Sequence, residues 1–390
     1  MLAKTAKKSA SKLVLNIIFL ILFSCPNLWC ERSVTSKNVG PGCVFSKVVD
    51  PDIPLSLYIL KADLKNRYIR IKSFLAQDSF QGLEPVLSMS QRNDRPGHRI
   101  VGGINGDFYV GTTPVGMGVT DGQLLKSSGR RSTIILEQTN LPSINIFSVR
   151  MRLVGSKGFE LKIDALNNPA GKPDAILYTD IFGDRTQEVS SRLFLILDPM
   201  EKTIPSHGSL EVTFEGEYPL SKNIPIPEGK FILAAKKNLS DQLERIKKEK
   251  ALTLYISTHP SSERIYTAVS GGPQIIRQGK ICIAQEKEGI RKGFFSERHP
   301  RTAVGYTKDR RFLIMAVVDG RRPDYSLGAD LFELAELMLD FECYEAINLD
   351  GGGSSTMIIN NEVVNHPSDF TGPRAVANCL LVVNTAMDKK

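Results

Sequence analysis

The chain has 390 residues, with 50 Lys and Arg against 42 Asp and Glu, which gives a formal net charge of +8. Half of that excess lies in four lysines among the first twelve residues, and no basic stripe with interleaved aromatic residues follows. This pattern argues against nucleic acid as a partner. The length exceeds one compact core, so that two linked lobes or one elaborated domain are both consistent with it.

The N-terminus has the pattern of an export signal. Lysines precede an apolar run over 13–23 that only Asn16 interrupts, as in a secretory signal peptide. This run is too short for a comfortable membrane span. Residues 22–25 (LFSC) resemble a lipobox, which would acylate Cys25; cleavage near Cys30 and an uncleaved anchor are the alternatives. We expect an exported protein that is periplasmic, lipid-anchored at the envelope or secreted, with any membrane contact made through this leader.

Short strands dominate the rest of the chain. β-branched and aromatic runs predict strands over 68–74, 132–136, 193–197, 252–256, 312–318 and 377–384. Helical periodicity is local, at 86–93, 240–249 and 328–341, and the last helix leads into a strand that ends at Asp350. The predicted fold class is α+β: strand-rich mixed sheets with a few covering helices in one elaborated catalytic domain.

Outside the leader and its margin, the cysteines are Cys43, Cys282, Cys343 and Cys379. They form no CxxC pair, so a zinc site is not expected. One or two disulfides are compatible with an oxidising compartment, but the sequence does not pair them.

The most informative segment is 346–357 (AINLDGGGSSTM), where an apolar run ends in a carboxylate, three glycines and hydroxyl residues. A buried strand would deliver Asp350 to a fixed point. Three residues without Cβ would let backbone N–H groups approach a ligand closely. The alternative is a plain glycine-rich turn between strands at 347–349 and 357–359.

Four other segments also place an apolar strand beside Gly with Asp, Asn or Arg. They are 102–109 (GGINGDFY), 298–305 (RHPRTAVG), 317–323 (VVDGRRP) and 372–378 (GPRAVAN). The Asn-Gly step of the first predicts a tight turn, as in a β-hairpin. The basic loop of the second suits a phosphate or carboxylate, because guanidinium groups bind both bidentately. Together the clusters indicate an anionic substrate, best a phosphate ester, with carboxylates available for proton transfer.

The order of these motifs resembles that of the phosphodiester glycosidase family. The matching segments are NGDF at 105–108, RTAVG at 301–305, DGR at 319–321, ELA at 333–335, NLDGGGS at 348–354 and RAVAN at 374–378. Weaker matches extend the resemblance, which runs from about Gly102 to Val383. It implies a hydrolase that cleaves the anomeric C–O bond of a sugar-1-phosphate diester, N-acetylglucosamine-like or an envelope glycan, and releases the sugar and a phosphomonoester. We place a leader at 1–30, a β-rich N-terminal segment at 31–95 and the glycosidase domain at 96–385.

The carboxylates of this implied site are Asp350, Asp319 and Asp107. Asp350 is favoured because the adjoining glycines leave its surroundings open, and Asp107 stands where many relatives carry glycine. One carboxylate would stabilise an oxocarbenium-like centre or activate water. Which is acid, base or nucleophile is left open.

The predicted binding residues are cations, amides and the glycine turn. The set is Arg301, Arg321, Arg374, Asn105, Asn348, Gly351, Gly352, Gly353, Ser354 and His299. The arginines would hold the departing phosphate, although Arg321 and Arg374 are equally suited to internal salt bridges. The amides and Ser354 would bind sugar hydroxyls or fix the aspartates. His299 is a candidate proton shuttle, and the loop residue His366 is a second.

Two other functions fit the same residues. A divalent-metal phosphodiesterase would cleave P–O with Asp107, Asp319 and Asp350 around Ca²⁺ or Mg²⁺; the sequence requires no cofactor and identifies no metal ligands with certainty. A non-catalytic envelope polysaccharide-binding protein would keep the cleft without turnover. In each case the expected partner is a sugar phosphodiester or an envelope glycan.

Overall fold

The computed structural model describes residues 32–50, 53–127, 129–188, 192–262, 264–284, 288–290 and 293–386. The predicted leader, with Cys25 and Cys30, lies outside the described residues. Within those ranges, no helix is long and apolar enough to cross a membrane.

Strands make up most of the regular structure in these ranges. They are β1 Ser33–Gly40, β2 Cys43–Asp50, β3 Leu55–Asp63, β4 Ile69–Leu75, β5 Arg99–Asn105, β6 Tyr109–Val110, β7 Thr113–Pro114, β8 Gly118–Thr120, β9 Gln123–Lys126, β10 Ser132–Glu137, β11 Pro142–Ile146, β12 Ser148–Val154, β13 Glu160–Ile163, β14 Ala165–Leu166, β15 Ala175–Thr179, β16 Arg192–Pro199, β17 Gly208–Ser221, β18 Phe231–Ala235, β19 Leu252–His259, β20 Ile265–Ser270, β21 Gln274–Arg277, β22 Lys280–Ile281, β23 Arg301–Thr307, β24 Phe312–Val318, β25 Cys343–Asn348, β26 Met357–Ile359, β27 Glu362–Val363 and β28 Asn378–Asn384. The helices are α1 Val86–Asn93, α2 Ser240–Ile246 and α3 Leu331–Asp340, and short 3₁₀ turns cover Ala76–Asp78, Ser156–Gly158, Asp180–Phe182, Lys237–Leu239 and Gly352–Ser354.

Two sheets form the part of the fold that carries the predicted motifs. An eight-stranded antiparallel sheet has the order β1-β2-β3-β24-β23-β25-β21-β22, and a five-stranded sheet has the order β27-β26-β5-β28-β4. A shared core fills the space between them and includes Leu60, Ile104, Val304 and Leu380. Such face-to-face packing explains why these strands are apolar along nearly their whole length.

Helix α3 covers the other face of the eight-stranded sheet. Leu334 and Met338 are fully buried there against sheet residues such as Ile314 and Ala346. The helix begins at Leu331 because Asp330 caps it. The Asp330 carboxylate accepts the Glu333 N–H at 2.9 Å, and the Glu333 carboxylate accepts the Asp330 N–H at 3.0 Å. The prediction that this helix leads into the strand before Asp350 is confirmed, because β25 follows α3.

A second pair of sheets is built mainly from residues 118–270. Its eight strands run β13-β12-β19-β17-β16-β18-β15-β14, and its five run β11-β10-β20-β8-β9. A separate apolar cluster, including Leu153, Leu233 and Leu254, packs between them. In the eight-stranded sheet β14 and β15 pair in parallel, which makes it the mixed sheet of the predicted class.

The six predicted strands and three predicted helices are present, each within three residues of its predicted ends. The strand-rich class is therefore confirmed. The boundary predicted at residue 95 is not a break in the sheets, because β3 pairs with β24 and β4 pairs with β28. The N-terminal segment belongs to the same two sheets as the C-terminal motifs. Cys43, Cys343 and Cys379 are buried thiols.

Candidate active site

Three of the predicted motifs converge because strands β23, β24 and β25 have their motif ends at one edge of the eight-stranded sheet. Arg301, at the start of β23, pairs with Val318, at the end of β24. Asn348, at the end of β25, pairs with Ala303 on β23. Antiparallel register therefore places Pro300, Asp319 and Asp350 along the same edge.

Asp350 lies where this sheet meets the five-stranded sheet. Its N–H donates to the Gly106 carbonyl at 3.1 Å, just past the end of β5, and its own carbonyl accepts from Asn105 Nδ2 at 2.7 Å. The main chain of Asp350 is thus fixed from both sides. Its carboxylate accepts from the Gly351 N–H at 3.1 Å. Burial raises the pKa of Asp350 to about 6, against the lowering effects of Ser354, Gly351 and Arg374.

Asp107 is the second carboxyl at this junction. It is 2% exposed, its N–H donates to Asn378 Oδ1 at 2.8 Å, and its Oδ2 accepts from the Gly116 N–H at 2.6 Å. Burial raises the pKa of Asp107 to about 7, and the negative charge of Asp350 adds to the increase. Because the charge of Asp350 favours the protonated form of Asp107, the titrations of the two carboxyls are linked.

The short hairpin of β6 and β7 connects Asp107 to Gly116. The chain leaves at Phe108 and returns at Val115, whose N–H donates to the Phe108 carbonyl at 2.8 Å. The tight turn predicted at the Asn-Gly step is not present: Asn105 ends β5, the chain bends at Asp107, and the hairpin follows.

Two cations balance the charge at Asp107. Burial lowers the pKa of Lys126 to about 8, and its ammonium donates to the Pro114 carbonyl at 2.6 Å. Arg131 lies over the Phe108 ring, 5.3 Å from its centroid. The positive charges of both groups act to lower the pKa of Asp107, so they limit the increase that burial causes.

The three glycines after Asp350 permit close packing. A Cβ at Gly351 would lie 2.8 Å from the Pro300 carbonyl oxygen, and one at Gly352 would lie 3.0 Å from Arg321 Nη2. A Cβ at Gly353 would collide with Asp369 and with the guanidinium of Arg374. Gly352 also has a φ of +62°, which favours glycine. The Gly351 N–H bonds to Asp350 and the Gly352 N–H to Pro300, so their main role here is to admit neighbouring groups.

Two of the predicted arginines stand beside this turn. Arg374 donates to both oxygens of Asp369, at 2.7 and 3.0 Å, and the positive charge of Arg374 helps to lower the pKa of Asp350. Arg321 donates to Ser368 Oγ at 3.4 Å. Arg374 is therefore in an internal salt bridge, which was one of its two predicted roles. Its positive charge also acts on Asp350.

Asp319 lies on the same edge in a different environment. It is 1% exposed. Its Oδ1 accepts from Asn365 Nδ2 at 2.9 Å and from the His366 N–H at 3.1 Å. Its Oδ2 accepts from the same N–H at 2.9 Å and from the Tyr325 hydroxyl at 3.2 Å. Burial raises the pKa of Asp319, while these donors act to lower it. The carboxylate is engaged by protein donors and is suited to orienting them.

Arg301 occupies a different position from the one predicted for a phosphate ligand. It is 1% exposed, and its guanidinium donates to the carbonyls of Ala329, Phe294 and Glu297 at 2.9, 3.0 and 2.7 Å. Burial lowers its pKa to about 10. The physical reason is that main-chain carbonyls enclose the guanidinium fork, so Arg301 holds the loop before β23.

His299 is directed towards Glu297, with Nε2 3.0 Å from its Oε2. The His299 main chain exchanges hydrogen bonds with Ala329. In the structure its imidazole is thus engaged by a neighbouring carboxylate of the same loop.

The predicted amides serve the framework of the site. Asn105 Oδ1 accepts from the Thr302 hydroxyl at 2.8 Å and the Thr356 N–H at 3.1 Å, which joins the two sheets. Asn348 Nδ2 donates to the Gly272 carbonyl at 3.0 Å. Ser354 is fully buried beside Asp350. Asn105 therefore fixes Asp350, one of the two roles predicted for it.

Some buried polar atoms at this junction have no hydrogen-bond partner among the described residues. They include Asp107 Oδ1, Asn348 Oδ1 and Thr356 Oγ1. A buried polar atom without a partner costs about 1–3 kcal/mol, and a bound hydroxyl or water would remove that cost.

Four residues that act on these carboxyls escaped the sequence analysis: Lys126, Asn365, Tyr325 and Gly116. Lys126 and Gly116 lie in segments with no motif, so no signal was available. Tyr325 and Asn365 follow closely on two predicted segments, and a search for hydrogen-bonding residues downstream of each strand-end aspartate would have found them.

The alternative metal site would use Asp107, Asp319 and Asp350. Within the described ranges, no group of three or more His, Cys, Asp and Glu side chains is placed to hold a metal ion. N–H and O–H donors already face both oxygens of Asp319, and these are the lone pairs that a cation would need.

Comparison with known sequences bears directly on the predicted family. Residues 207–383 match the family described as phosphodiester glycosidase. A bovine (Bos taurus) protein named N-acetylglucosamine-1-phosphodiester alpha-N-acetylglucosaminidase is 34% identical over 110 residues, which are 26% of this chain and 20% of that protein. The chain thus spans about a fifth of the length of that relative. The predicted resemblance is confirmed.

Solved structures share the fold over more of the chain. A hypothetical protein from Synechocystis superposes with a TM-score of 0.73 at 18% identity, covering 90% of this chain and 64% of that one. A protein of Burkholderia pseudomallei K96243, described as a candidate exported protein, gives 0.64 at 20% identity, covering 84% of this chain and 74% of that one. These similarities show the fold alone.

Proposed function

Given that residues 207–383 match the phosphodiester glycosidase family, we propose that this chain is an exported hydrolase acting on a sugar-1-phosphate diester. Water would replace the phosphoryl oxygen at the anomeric carbon, so that the sugar and a phosphomonoester are released. The observation that supports this most is the pair of buried carboxyls, Asp107 and Asp350, whose pKa values are raised to about 7 and about 6.

Hydrolysis at an anomeric carbon commonly uses two carboxyl groups with different protonation states. We assign the ionised form to Asp350, which would stabilise the oxocarbenium-like centre or activate the water. Asp107 would retain the shared proton and hydrogen-bond the substrate. Because a phosphodiester leaving group is already acidic, proton donation to it contributes less than cationic stabilisation. Arg321 and Arg374, beside the glycine turn, are the cations that we assign to that role.

The substrate class and the export are part of the same proposal. The name of the bovine relative specifies an N-acetylglucosamine-1-phosphodiester, which supports a sugar-1-phosphate diester, either N-acetylglucosamine-like or part of an envelope glycan. The lysine-rich start and the apolar run at 13–23 support export, as does the description of the Burkholderia pseudomallei protein.

The test is hydrolysis in ¹⁸O-labelled water. Purified protein is incubated with the methyl phosphodiester of α-N-acetylglucosamine-1-phosphate and with a panel of other sugar-1-phosphate diesters. Label in the released sugar shows cleavage of C–O and supports the proposal. Label in the phosphate, together with loss of activity in EDTA, would favour the metal-dependent phosphodiesterase. Binding without any product across the panel would favour the non-catalytic glycan-binding protein. Asp350→Asn protein, purified identically, controls for contaminating hydrolases.

A further inference from the structure

His366 and Tyr325 form a hydrogen-bonded group with Asp319 that the proposed carboxylate pair does not use. The Tyr325 hydroxyl donates to Asp319 Oδ2 at 3.2 Å and lies 3.1 Å from His366 Nδ1. It also lies 2.6 Å from the hydroxyl of Tyr58, on strand β3. The rings of Tyr325 and His366 pack edge to face with centroids 5.0 Å apart.

These contacts fix the orientation of the imidazole. The His366 N–H donates to both oxygens of Asp319, and His366 Nδ1 is 3.7 Å from Asp319 Oδ2. Tyr325 has one hydroxyl proton, which it donates to Asp319, so His366 Nδ1 must carry the hydrogen that joins it to the Tyr325 oxygen.

The other ring nitrogen, Nε2, is the one available to a ligand. The His366 side chain is 54% exposed, and within the described residues Nε2 has no hydrogen-bond partner. When the imidazole is protonated, Nε2 is a donor whose direction the contacts of Nδ1 fix.

The loop that carries His366 runs alongside the glycine turn and Arg321. Asn365, the residue before it, donates to the Ser355 carbonyl at 3.0 Å. Ser368, two residues after it, accepts from Arg321 Nη1 at 3.4 Å. Arg321 Nη2 would in turn lie 3.0 Å from a Cβ on Gly352. The loop that carries the imidazole is therefore held to the segment after Asp350 through Asn365 and to Arg321 through Ser368.

From this arrangement we propose that His366 is a further substrate-contacting residue, which donates through Nε2 to an oxygen of the substrate phosphate alongside Arg321. Asp319 and Tyr325 are positioning residues that act through His366. The inference rests on the proposed function: as the C–O bond breaks, its electron pair passes to the phosphoryl oxygen, and His366 and Arg321 stabilise the charge gathered there. No proton transfer from His366 is needed.

The test separates phosphate binding from turnover. Inorganic phosphate is titrated into the purified protein at pH 6, while the imidazole proton signals are followed by NMR and heat by calorimetry. We expect the imidazole proton signal of one histidine to shift. That signal should be absent in His366→Gln, which assigns it to His366. That variant should bind phosphate about tenfold more weakly, the loss of one charge-assisted hydrogen bond, while inhibition by the free sugar is unchanged. Tyr325→Phe should weaken phosphate binding in the same direction but less. His207→Gln, in the other pair of sheets, is the matched control.

Wild-type phosphate affinity in His366→Gln would overturn the inference, as would an equal loss of sugar and phosphate binding, which indicates a merely structural role. These results are distinguishable from failure of the proposed function. In that case no sugar-1-phosphate diester is hydrolysed, while the phosphate titration still reports on His366.

Discussion

Asp350 and Asp319 have the same sequence context and different surroundings. Each follows an apolar strand and precedes glycine at one edge of the eight-stranded sheet. Protein donors engage both oxygens of Asp319, whereas the Asp350 carboxylate accepts from the N–H of the next residue, Gly351. A carboxylate surrounded by donors can orient them but has little capacity left for substrate. The difference teaches that hydrogen-bond partners, rather than the strand-end pattern, separate a reacting group from a positioning one.

The largest expected effect is that of Asp350→Asn. Removing the charge that would stabilise the oxocarbenium-like centre should lower kcat about 10³-fold, with the thermal midpoint close to that of the wild type. Sugar release from the best diester substrate measures it. Asp324→Asn, an exposed neighbour on the 320–326 loop, should retain full activity. If Asp350→Asn turns over normally, the comparison has been drawn with the wrong carboxylate.

A second, smaller effect is expected for Asp107→Asn, and it concerns pH. With pKa values of about 6 and about 7, the pair carries one proton only between those values, so kcat should peak there. Activity falls below pH 6 as Asp350 gains a proton and above pH 7 as Asp107 loses one. Asn cannot ionise, so the alkaline limb should disappear while kcat drops about 10²-fold. An unchanged alkaline limb would show that another group sets it.

Asp319→Asn should cost less activity and more stability than Asp350→Asn. One oxygen becomes an NH₂ that must face the donors of Asn365, Tyr325 or His366, so a donor is left without an acceptor. We expect a loss of about 1–3 kcal/mol in the free energy of unfolding and about a tenfold drop in kcat/KM. Denaturant unfolding and steady-state kinetics measure the two. A loss of activity equal to that of Asp350→Asn, with normal stability, would erase the distinction between them.

The sequence predicted the elements of this fold better than the meeting of its residues. Helix α3 and strand β25 were predictable because periodicity and strand composition are local signals. The Asp107–Asp350 pair was not, since β5 and β25 belong to different sheets and the residues after them meet through tertiary hydrogen bonds, from the Asp350 N–H to Gly106 and from Asn105 to the Asp350 carbonyl. Asp107 belonged to the predicted set as part of the 102–109 segment, with nothing in the sequence to place it beside Asp350.

Arg301 shows the same limit from the other side. Its motif indicated a phosphate ligand, but the carbonyls that enclose its guanidinium come from Ala329, Phe294 and Glu297. No local sequence pattern predicts that these carbonyls surround it. An arginine beside a phosphate and an arginine capping loop carbonyls have the same neighbours in sequence. Only the tertiary contacts distinguish them.

The smallest expected effect tests why the turn after Asp350 contains glycines. In Gly353→Ala the new methyl would collide with Asp369 and Arg374, and relief requires the Arg374–Asp369 pair to move off the turn. We expect a three- to tenfold rise in KM, on the order of 1 kcal/mol, because the charge of Arg374 moves away from the substrate phosphate while Asp350 stays in place and kcat changes little. Gly129→Ala is the control, since a Cβ there would meet nothing within 4 Å. A fall in kcat at constant KM would instead mean that the turn positions Asp350 itself, and the glycines would then belong to the reacting side of the comparison.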